Sequence, residues 1–248
     1  MALLEAPVIE LDSIDSTNNY AMRLIDADKA LPGLTITATE QTEGKGQRGR
    51  HWADVPGQSL LMSLVMTPQQ PLEQQFVFSA MVAVAVAEVL EALYEGWEIK
   101  IKWPNDIIVN DKKAGGILIE NILRGSNWVY AIVGLGLNIL QESFPPELPN
   151  ATSLKIASSR SFKPQTMRDM LRQNILEALG RKSNAEGTMR LYNEYLFRRS
   201  AVQAFSDGRD TWQGIIVKAN ADGKLLVQLE NGSIAQYTHG DVTWKWNG

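Results

Sequence analysis

The segment 41–52 has residue types that suit anion binding, because three glycines alternate or nearly alternate with three cations. Its residues are Gln41, Thr42, Glu43, Gly44, Lys45, Gly46, Gln47, Arg48, Gly49, Arg50, His51 and Trp52. Successive backbone N–H groups in such a loop can form a concave anion site, and Lys and Arg side chains add fork-shaped or point-charge donors for phosphate. The loop lacks the spacing of a P-loop. A solvated turn explains the glycines and charges but not Trp52, so phosphate binding and a plain turn both remain open.

A second segment presents an amide and a carboxylate side by side at the end of a predicted strand. It reads Lys102, Trp103, Pro104, Asn105, Asp106. Asp106 could hold Mg²⁺ through oxygen or orient a lysine. Asn and Asp after Pro are also ordinary turn residues, and on this pattern alone the turn interpretation is favoured.

Glycines also occur in two predicted strands. Lys112 and Lys113 precede Gly115-Gly116, and a later strand ends in Gly134-Leu135-Gly136-Leu137-Asn138. Glycine lets a ligand approach the backbone closely, and Asn138 offers a donor and an acceptor suited to an adenine edge. Two lysines at a hairpin tip are more often solvent-facing. The later segment lacks the third glycine and the following helix of a dinucleotide-binding fingerprint.

The elements that must position these residues follow from hydrophobic periodicity. Ser16, Thr17 and Asn18 are typical helix caps, and a helix N-terminus also favours a polar head group. Helices are predicted from this cap, from Pro71 to about Leu93, and over 164–179 and 185–198. Strands are predicted over 8–11, 34–39, 59–66, 98–102, 107–109, 116–122 and 128–137, with a hairpin turn at Asn110-Asp111. This order predicts an α+β fold in which helices cover a mixed or antiparallel sheet.

The pattern changes near residue 200 to short strands separated by turns. These strands are predicted over 212–217, 224–229, 233–237 and 242–246. We therefore predict two domains, residues 1–199 and a small β-barrel of residues 200–248. Trp212, Trp244 and Trp246 could serve a non-catalytic barrel that recognises nucleic acid or peptide, but alternating tryptophans in strands are more often core residues.

Composition limits the chemistry. The chain has 248 residues, no cysteine, two histidines, and 24 Lys and Arg against 28 Asp and Glu, for a net charge of −4. Disulfides, thiolate catalysis and Cys-ligated zinc are excluded. Any binding of an anionic ligand depends on a local basic site, because the chain as a whole is weakly acidic. The first residues lack a basic n-region, and the longest apolar run, 76–93, is interrupted by polar residues. We therefore expect a cytoplasmic protein without a signal peptide or a membrane span.

In this order, five segments together resemble the biotin protein ligases. They are Ser16-Thr17-Asn18, the loop 44–52, Lys102–Asp106, Lys113–Leu118 with Glu120, and Gly134–Asn138. The resemblance implies ATP-dependent activation of biotin to biotinyl-5′-AMP and transfer of the biotinyl group to one lysine of a biotin carboxyl carrier protein. It also implies a sheet of the class II aminoacyl-tRNA synthetase-like kind and a C-terminal SH3-like β-barrel, with Gly240-Asp241-Val242 and Lys245 in its closing segment.

The same resemblance implies roles for individual residues. Lys113, Arg48 and Asp106 are the expected catalytic residues, and Lys113 is chosen over Lys112 because it keeps the family spacing to Gly116. Asp106 is also expected to bind Mg²⁺. The residues expected to contact biotin or ATP are Ser16, Thr17, Asn18, Gln41, Gly44, Lys45, Gly46, Gln47, Arg48, Arg50, Trp52, Lys113, Gly116 and Asn138, with Trp52 and Asn138 beside adenine.

The sequence departs from the repressor-type enzymes of this family in two places. Gln47 stands where their loop has arginine, and the first catalytic strand begins by Val8, where they have a DNA-binding domain. We therefore expect no DNA binding. The resemblance leaves monomer and homodimer open, and lipoate protein ligases, which share the adenylation chemistry, are the nearest alternative.

Overall fold

A seven-stranded sheet forms the centre of the computed structural model, which describes residues 3–181 and 184–244. Its strand order is β1-β2-β3-β7-β6-β5-β4. Strands β1 and β2 are parallel, and all other neighbours are antiparallel. The predicted mixed sheet is therefore confirmed. The strands are β1 Val8–Ile14, β2 Thr35–Gln41, β3 Ser59–Met66, β4 Ile99–Lys102, β5 Asp106–Val109, β6 Lys112–Arg124 and β7 Asn127–Asn138.

Five α-helices accompany the sheet in the described ranges. They are α1 Thr17–Asp26, α2 Gln75–Leu93, α3 Leu154–Ser158, α4 Pro164–Gly180 and α5 Ala185–Tyr195. Helix α2 is long and apolar enough to span a membrane by length and composition. Its apolar residues are buried in the core, and it packs against α4 and α5, so this burial accounts for its composition.

Two predicted helix boundaries were wrong, and the structure gives a reason for each. The long helix begins at Gln75 rather than Pro71, because Pro71 is extended and a 3-10 turn, Leu72–Gln74, intervenes. The helix predicted to reach residue 198 ends at Tyr195. The chain becomes extended at Leu196, and the Phe197 N–H donates to the Ile101 carbonyl at 2.9 Å. The backbone after the helix therefore pairs with the edge strand β4 instead of continuing the helix.

A second, five-stranded antiparallel sheet has the order β11-β10-β9-β8-β12. The predicted strands are confirmed as β9 Thr211–Ala219, β10 Leu225–Leu229, β11 Ile234–Tyr237 and β12 Thr243–Trp244. Residues 245 and 246 of the last predicted strand lie outside the described residues. Strand β8, Val202–Ser206, and helix α3 were not predicted, because each is only five residues long and carries little periodic signal.

The two sheets share one apolar core. Phe205, Ile216 and Val227 of the second sheet belong to the same buried cluster as α2 and β3 of the first. Asn193 of α5 also exchanges two hydrogen bonds with the backbone of Ala219, at 2.7 and 3.0 Å. The predicted division at 199/200 falls between α5 and β8, where the chain crosses from one sheet to the other.

Candidate active site

A cleft of about 290 Å³ lies between the loop 44–52, the first sheet and the second. Both histidines of the chain, His51 and His239, are among its lining residues. All but two of the predicted site residues also line it, from four separate segments of the chain. Those lining residues are Ser16, Thr17, Asn18, Gln41, Lys45, Gly46, Gln47, Arg48, Arg50, Trp52, Asp106, Lys113 and Gly116.

One end of the cleft is formed by the N-terminus of α1. Ser16 occupies the N-cap position without making the predicted cap hydrogen bond through its side chain. Instead, Gln41 at the end of β2 accepts hydrogen bonds from the backbone N–H and the hydroxyl of Thr17, at 2.7 and 3.0 Å. The helix terminus therefore lines the cleft and is held there by the end of a neighbouring strand.

A buried serine, which no sequence pattern indicated, connects these residues. The Ser63 Oγ lies 2.7 Å from Thr17 Oγ1 and 2.6 Å from Asn18 Oδ1, and Ser63 is fully buried. Ser63 lies in the middle of the apolar strand β3, so only the tertiary structure identifies it. The resulting network fixes the orientation of two predicted ligand-binding side chains.

Asn18 also reaches across the sheet to an acid. Its Nδ2 donates to Glu120 Oε2 at 2.7 Å, and Glu120 in turn lies 3.9 Å from Lys45 Nζ. A Cβ on Gly134 would lie 2.5 Å from Asn18 Oδ1, so this glycine makes room for the asparagine. The glycine was predicted to admit a ligand, whereas it admits a side chain that faces the ligand cleft.

The loop 44–52 is a short hairpin. Trp52 N–H donates to the Gly44 carbonyl at 2.8 Å, and Gly46 N–H donates to the Arg50 carbonyl at 2.7 Å. Arg48, in the tip, has a left-handed backbone with a φ of 57°. Of its glycines, Gly44 has the clearest steric reason, since a Cβ there would lie 2.6 Å from the Trp52 carbonyl oxygen.

Trp52 at the end of this hairpin packs onto the glycines of β6 and β7. A Cβ on Gly136 would lie 2.7 Å from the Trp52 indole, and one on Gly116 would lie 3.4 Å from it. The space that these glycines provide is therefore filled by Trp52. The predicted contact of Trp52 with adenine stays a prediction.

The hairpin β4–β5 carries the acid of the site. It turns through a cis Trp103–Pro104 peptide, and the Asn105 amide donates to the Ile117 carbonyl at 2.6 Å. This turn brings the Asp106 Oδ1 to 2.7 Å from the Lys113 Nζ. Lys112 is exposed and does not line the cleft, because successive residues of β6 face opposite sides.

Asn138 and Gly44 are the two predicted residues that the structure does not bring to the cleft lining. Asn138 is buried and donates through Nδ2 to the Thr152 carbonyl at 3.0 Å, which ties the end of β7 to the segment before α3. Its predicted contact with adenine stays a prediction. Gly44 is buried beneath the Trp52 backbone, and its lack of a side chain allows the two arms of the hairpin to approach each other.

Two cleft residues with a shifted pKa, Lys102 and His239, were not among the predicted ligands. Burial lowers the pKa of Lys102, whose Nζ lies 4.7 Å from the Trp244 ring centre. Burial, with Arg48 and Arg50 close by, lowers the pKa of His239, which comes from the second sheet. Lys102 lies in a segment that the sequence singled out. His239 lies almost 200 residues from the basic loop, and no local pattern links them.

The described residues contain no group of three or more His, Asp or Glu side chains that could hold a metal ion. Mg²⁺ that accompanies a nucleotide needs one or two carboxylates, because phosphates and water complete its shell. Asp106 fits that limited role, although Lys113 already occupies one of its oxygens. The metal role of Asp106 stays a prediction.

This arrangement suits a ligand with two chemically different ends. Arg48, Arg50, Lys102 and Lys113 lie near one another in the cleft, where they can neutralise anions that repel each other. The opposite end offers hydroxyl and amide groups on rigid elements, which suits a neutral polar head group.

Residues 10–138, which include most of these cleft residues, match the family described as "Biotin/lipoate A/B protein ligase family". The chain belongs to that family.

The chain is also similar to curated proteins. It is 39% identical over 158 residues to the "Bifunctional ligase/repressor BirA" of Bacillus spizizenii, which covers 62% of this chain and 48% of that protein. It is 35% identical over 130 residues to the "Biotin--[acetyl-CoA-carboxylase] ligase" of Paracoccus denitrificans, covering 50% and 51% respectively. The matched part thus spans about half the length of these relatives.

The fold of this family member also matches solved structures. The biotin protein ligase from Aquifex aeolicus in complex with biotin and ATP superimposes with a TM-score of 0.79 at 25% identity, covering 96% of this chain and 98% of that one. The match includes the second sheet, so the predicted fold class, a helix-covered mixed sheet with a small SH3-like domain, is confirmed.

Proposed function

We propose that this protein is a biotin protein ligase. It would use ATP to convert biotin to biotinyl-5′-AMP and then transfer the biotinyl group to one lysine of a biotin carboxyl carrier protein. The observation that carries the proposal is that one cleft brings together the Lys113–Asp106 pair, the basic hairpin and the polar N-terminus of α1. The family membership and the fold likeness support the same reaction class.

The first step would join two anions. A biotin carboxylate oxygen attacks the α-phosphorus of ATP, an O–P bond forms, and pyrophosphate leaves with the electrons of the broken bond. Lys113 and Arg50 can offset the charge that builds up between the two reactants. Mg²⁺ bound to the ATP phosphates would supply further positive charge, with Asp106 as its protein ligand. Thr17 and Asn18, at the opposite end of the cleft, would bind the polar ring of biotin.

The second step would transfer the acyl group without a covalent enzyme intermediate. The amine of the carrier lysine attacks the acyl carbonyl, a C–N bond forms, AMP leaves, and the amine releases a proton. Because the acyl adenylate is labile to water, the hairpin 44–52 would cover it until the carrier arrives.

The proposal extends to the partner and its location. The carrier would be the biotin domain of acetyl-CoA carboxylase or a related carboxylase, encountered in the cytoplasm. The net charge of −4 favours a protein partner over DNA, so no repressor role is proposed.

A transfer assay tests this function. Purified protein is incubated with ATP, Mg²⁺ and a biotin carboxyl carrier domain, with radiolabelled biotin in one reaction and radiolabelled lipoate in another. We expect label on the carrier from biotin only. Label from lipoate only would identify a lipoate ligase, and label from neither would contradict the proposed activity.

A further inference from the structure

The second sheet contacts the tip of the basic hairpin through one arginine. Arg48 Nη1 donates to the His239 backbone carbonyl at 2.8 Å. Residues 48 and 239 are thereby joined across 191 positions of the chain. Arg48 and His239 both line the cleft, so this contact lies at its rim rather than on a remote surface.

The residue after His239 is shaped to receive this arginine. Gly240 has a φ of +99°, and a Cβ built on it would overlap the Arg48 guanidinium. Any other residue at 240 must therefore push Arg48 away or distort the loop 239–242. The absence of a side chain at residue 240 makes room for the Arg48 guanidinium from the hairpin 44–52.

This contact holds the exposed tip of the hairpin. Arg48 is exposed, and a Cβ on the neighbouring Gly49 would find no atom within 4 Å. Arg48 itself has a left-handed φ of 57°, a conformation that L-residues adopt at some cost in free energy. A charge-assisted hydrogen bond to a fixed carbonyl offsets that cost.

We propose that Gly240 and the His239 carbonyl form a latch that holds the Arg48 hairpin in its closed position. Gly240 is thus a positioning residue for the adenylate-covering loop, and the second sheet completes the active site. The inference rests on the proposed function for its consequence, which is retention of the acyl adenylate. The latch itself exists without substrate, and it can be measured without substrate.

The test compares two glycines in the loops that connect strands of the second sheet. Gly208 has a φ of +93°, close to that of Gly240, but nothing lies within 4 Å of a Cβ built on it. Gly240→Ala and Gly208→Ala therefore impose similar backbone strain, and only the former displaces Arg48. The melting temperatures of both variants, from thermal unfolding, show whether the two substitutions cost similar stability.

The first readout is trypsin cleavage after Lys45 and Arg50 in the substrate-free protein. We expect Gly240→Ala to be cleaved about tenfold faster than wild type, because it loses a charge-assisted hydrogen bond, and Gly208→Ala to match wild type. Arg48→Gln should raise cleavage at the same two bonds, and it does so without any strain at residue 240. Equal cleavage of Gly240→Ala and Gly208→Ala, or wild-type cleavage of Arg48→Gln, would overturn the latch.

The second readout is free biotinyl-AMP released during turnover. Gly240→Ala should release about tenfold more than Gly208→Ala, and it should have no further effect when Arg48 is already Gln, because the two residues act through one contact. An additive effect in the double variant contradicts the latch. If wild-type protein makes no biotinyl-AMP, the proposed function fails, while the proteolysis result still decides the latch.

Discussion

At the scale of single residues, Lys112 and Lys113 show how the alternation of side chains along a strand decides which of two lysines lies in the cleft. They are neighbours of the same type, yet Lys113 pairs with Asp106 inside the cleft and Lys112 faces outward. We expect Lys113→Ala to lower the rate of biotinyl-AMP formation by about 10²- to 10³-fold, because a preorganised cation at the reacting anions is removed. The rate is measured by pyrophosphate release in single turnover. Lys112→Ala is the matched control and should stay within about twofold of wild type; equal losses in both variants would show that the lysine is misassigned.

Ser63 tests the polar network at the other end of the cleft. Its hydroxyl lies within 2.7 Å of both Thr17 Oγ1 and Asn18 Oδ1. We expect Ser63→Ala to weaken biotin binding about fivefold or more, since two ligand-facing side chains lose a shared partner. Titration calorimetry measures the binding, and Ser13→Ala, an exposed site on β1, is the control. Unchanged affinity for Ser63→Ala would mean that Gln41 and Glu120 suffice to hold the network.

At the scale of elements, the hairpin 44–52 depends on the packing of Trp52 and not equally on each glycine. A Cβ on Gly44 would lie 2.6 Å from the Trp52 carbonyl oxygen, whereas the nearest atom to a Cβ on Gly46 would be 3.3 Å away. We expect Gly44→Ala to release more free biotinyl-AMP than Gly46→Ala, measured by chromatography during turnover. The reverse order would show that ligand contact at Gly46 matters more than hairpin shape.

At the scale of the whole molecule, the two sheets are joined by a shared core and by Asn193. Its amide pairs with both backbone groups of Ala219 in β9. We expect Asn193→Ala to lower the free energy of unfolding by about 2 kcal/mol, because these buried groups lose their partners. Denaturant unfolding should show one transition for both sheets. Glu194→Ala, the exposed neighbour, should have almost no effect; two separate transitions in wild type would contradict the shared core.

The contact between the hairpin 44–52 and His239 should also depend on pH. Burial and the nearby cations Arg48, Arg50 and Lys102 lower the pKa of His239 below its ordinary 6.5, while Asp106 acts in the opposite direction. Protons therefore bind more tightly when the site opens, so the closed state is fully stable above pH 6.5 and weakens as the pH falls below it. We expect retention of biotinyl-AMP to decrease on acidification, and to decrease less in His239→Gln. Identical pH profiles for the two proteins would show that His239 does not set this dependence.

The sequence by itself determined the elements and most of the site. Strand periodicity, the caps at Ser16–Asn18 and the glycine-rich basic loop are local signals, because each reflects backbone conformation over a few residues. They were enough to predict a helix-covered sheet, mixed or antiparallel, and the second all-β part, and the sheet proved to be mixed. The resemblance to the biotin protein ligases implied the site residues, and all of these except Gly44 and Asn138 line the cleft.

Only the tertiary structure decided which side chains meet. Ser63 lies in an apolar strand, and His239 and Gly240 lie about 190 residues from the hairpin that they contact. The space beside Gly134 and Gly136 is filled by Asn18 and Trp52 rather than left for a ligand. Such contacts depend on strand pairing and on the docking of one sheet against the other, and the physical reason that sequence patterns miss them is that local periodicity carries no information about partners distant in the chain.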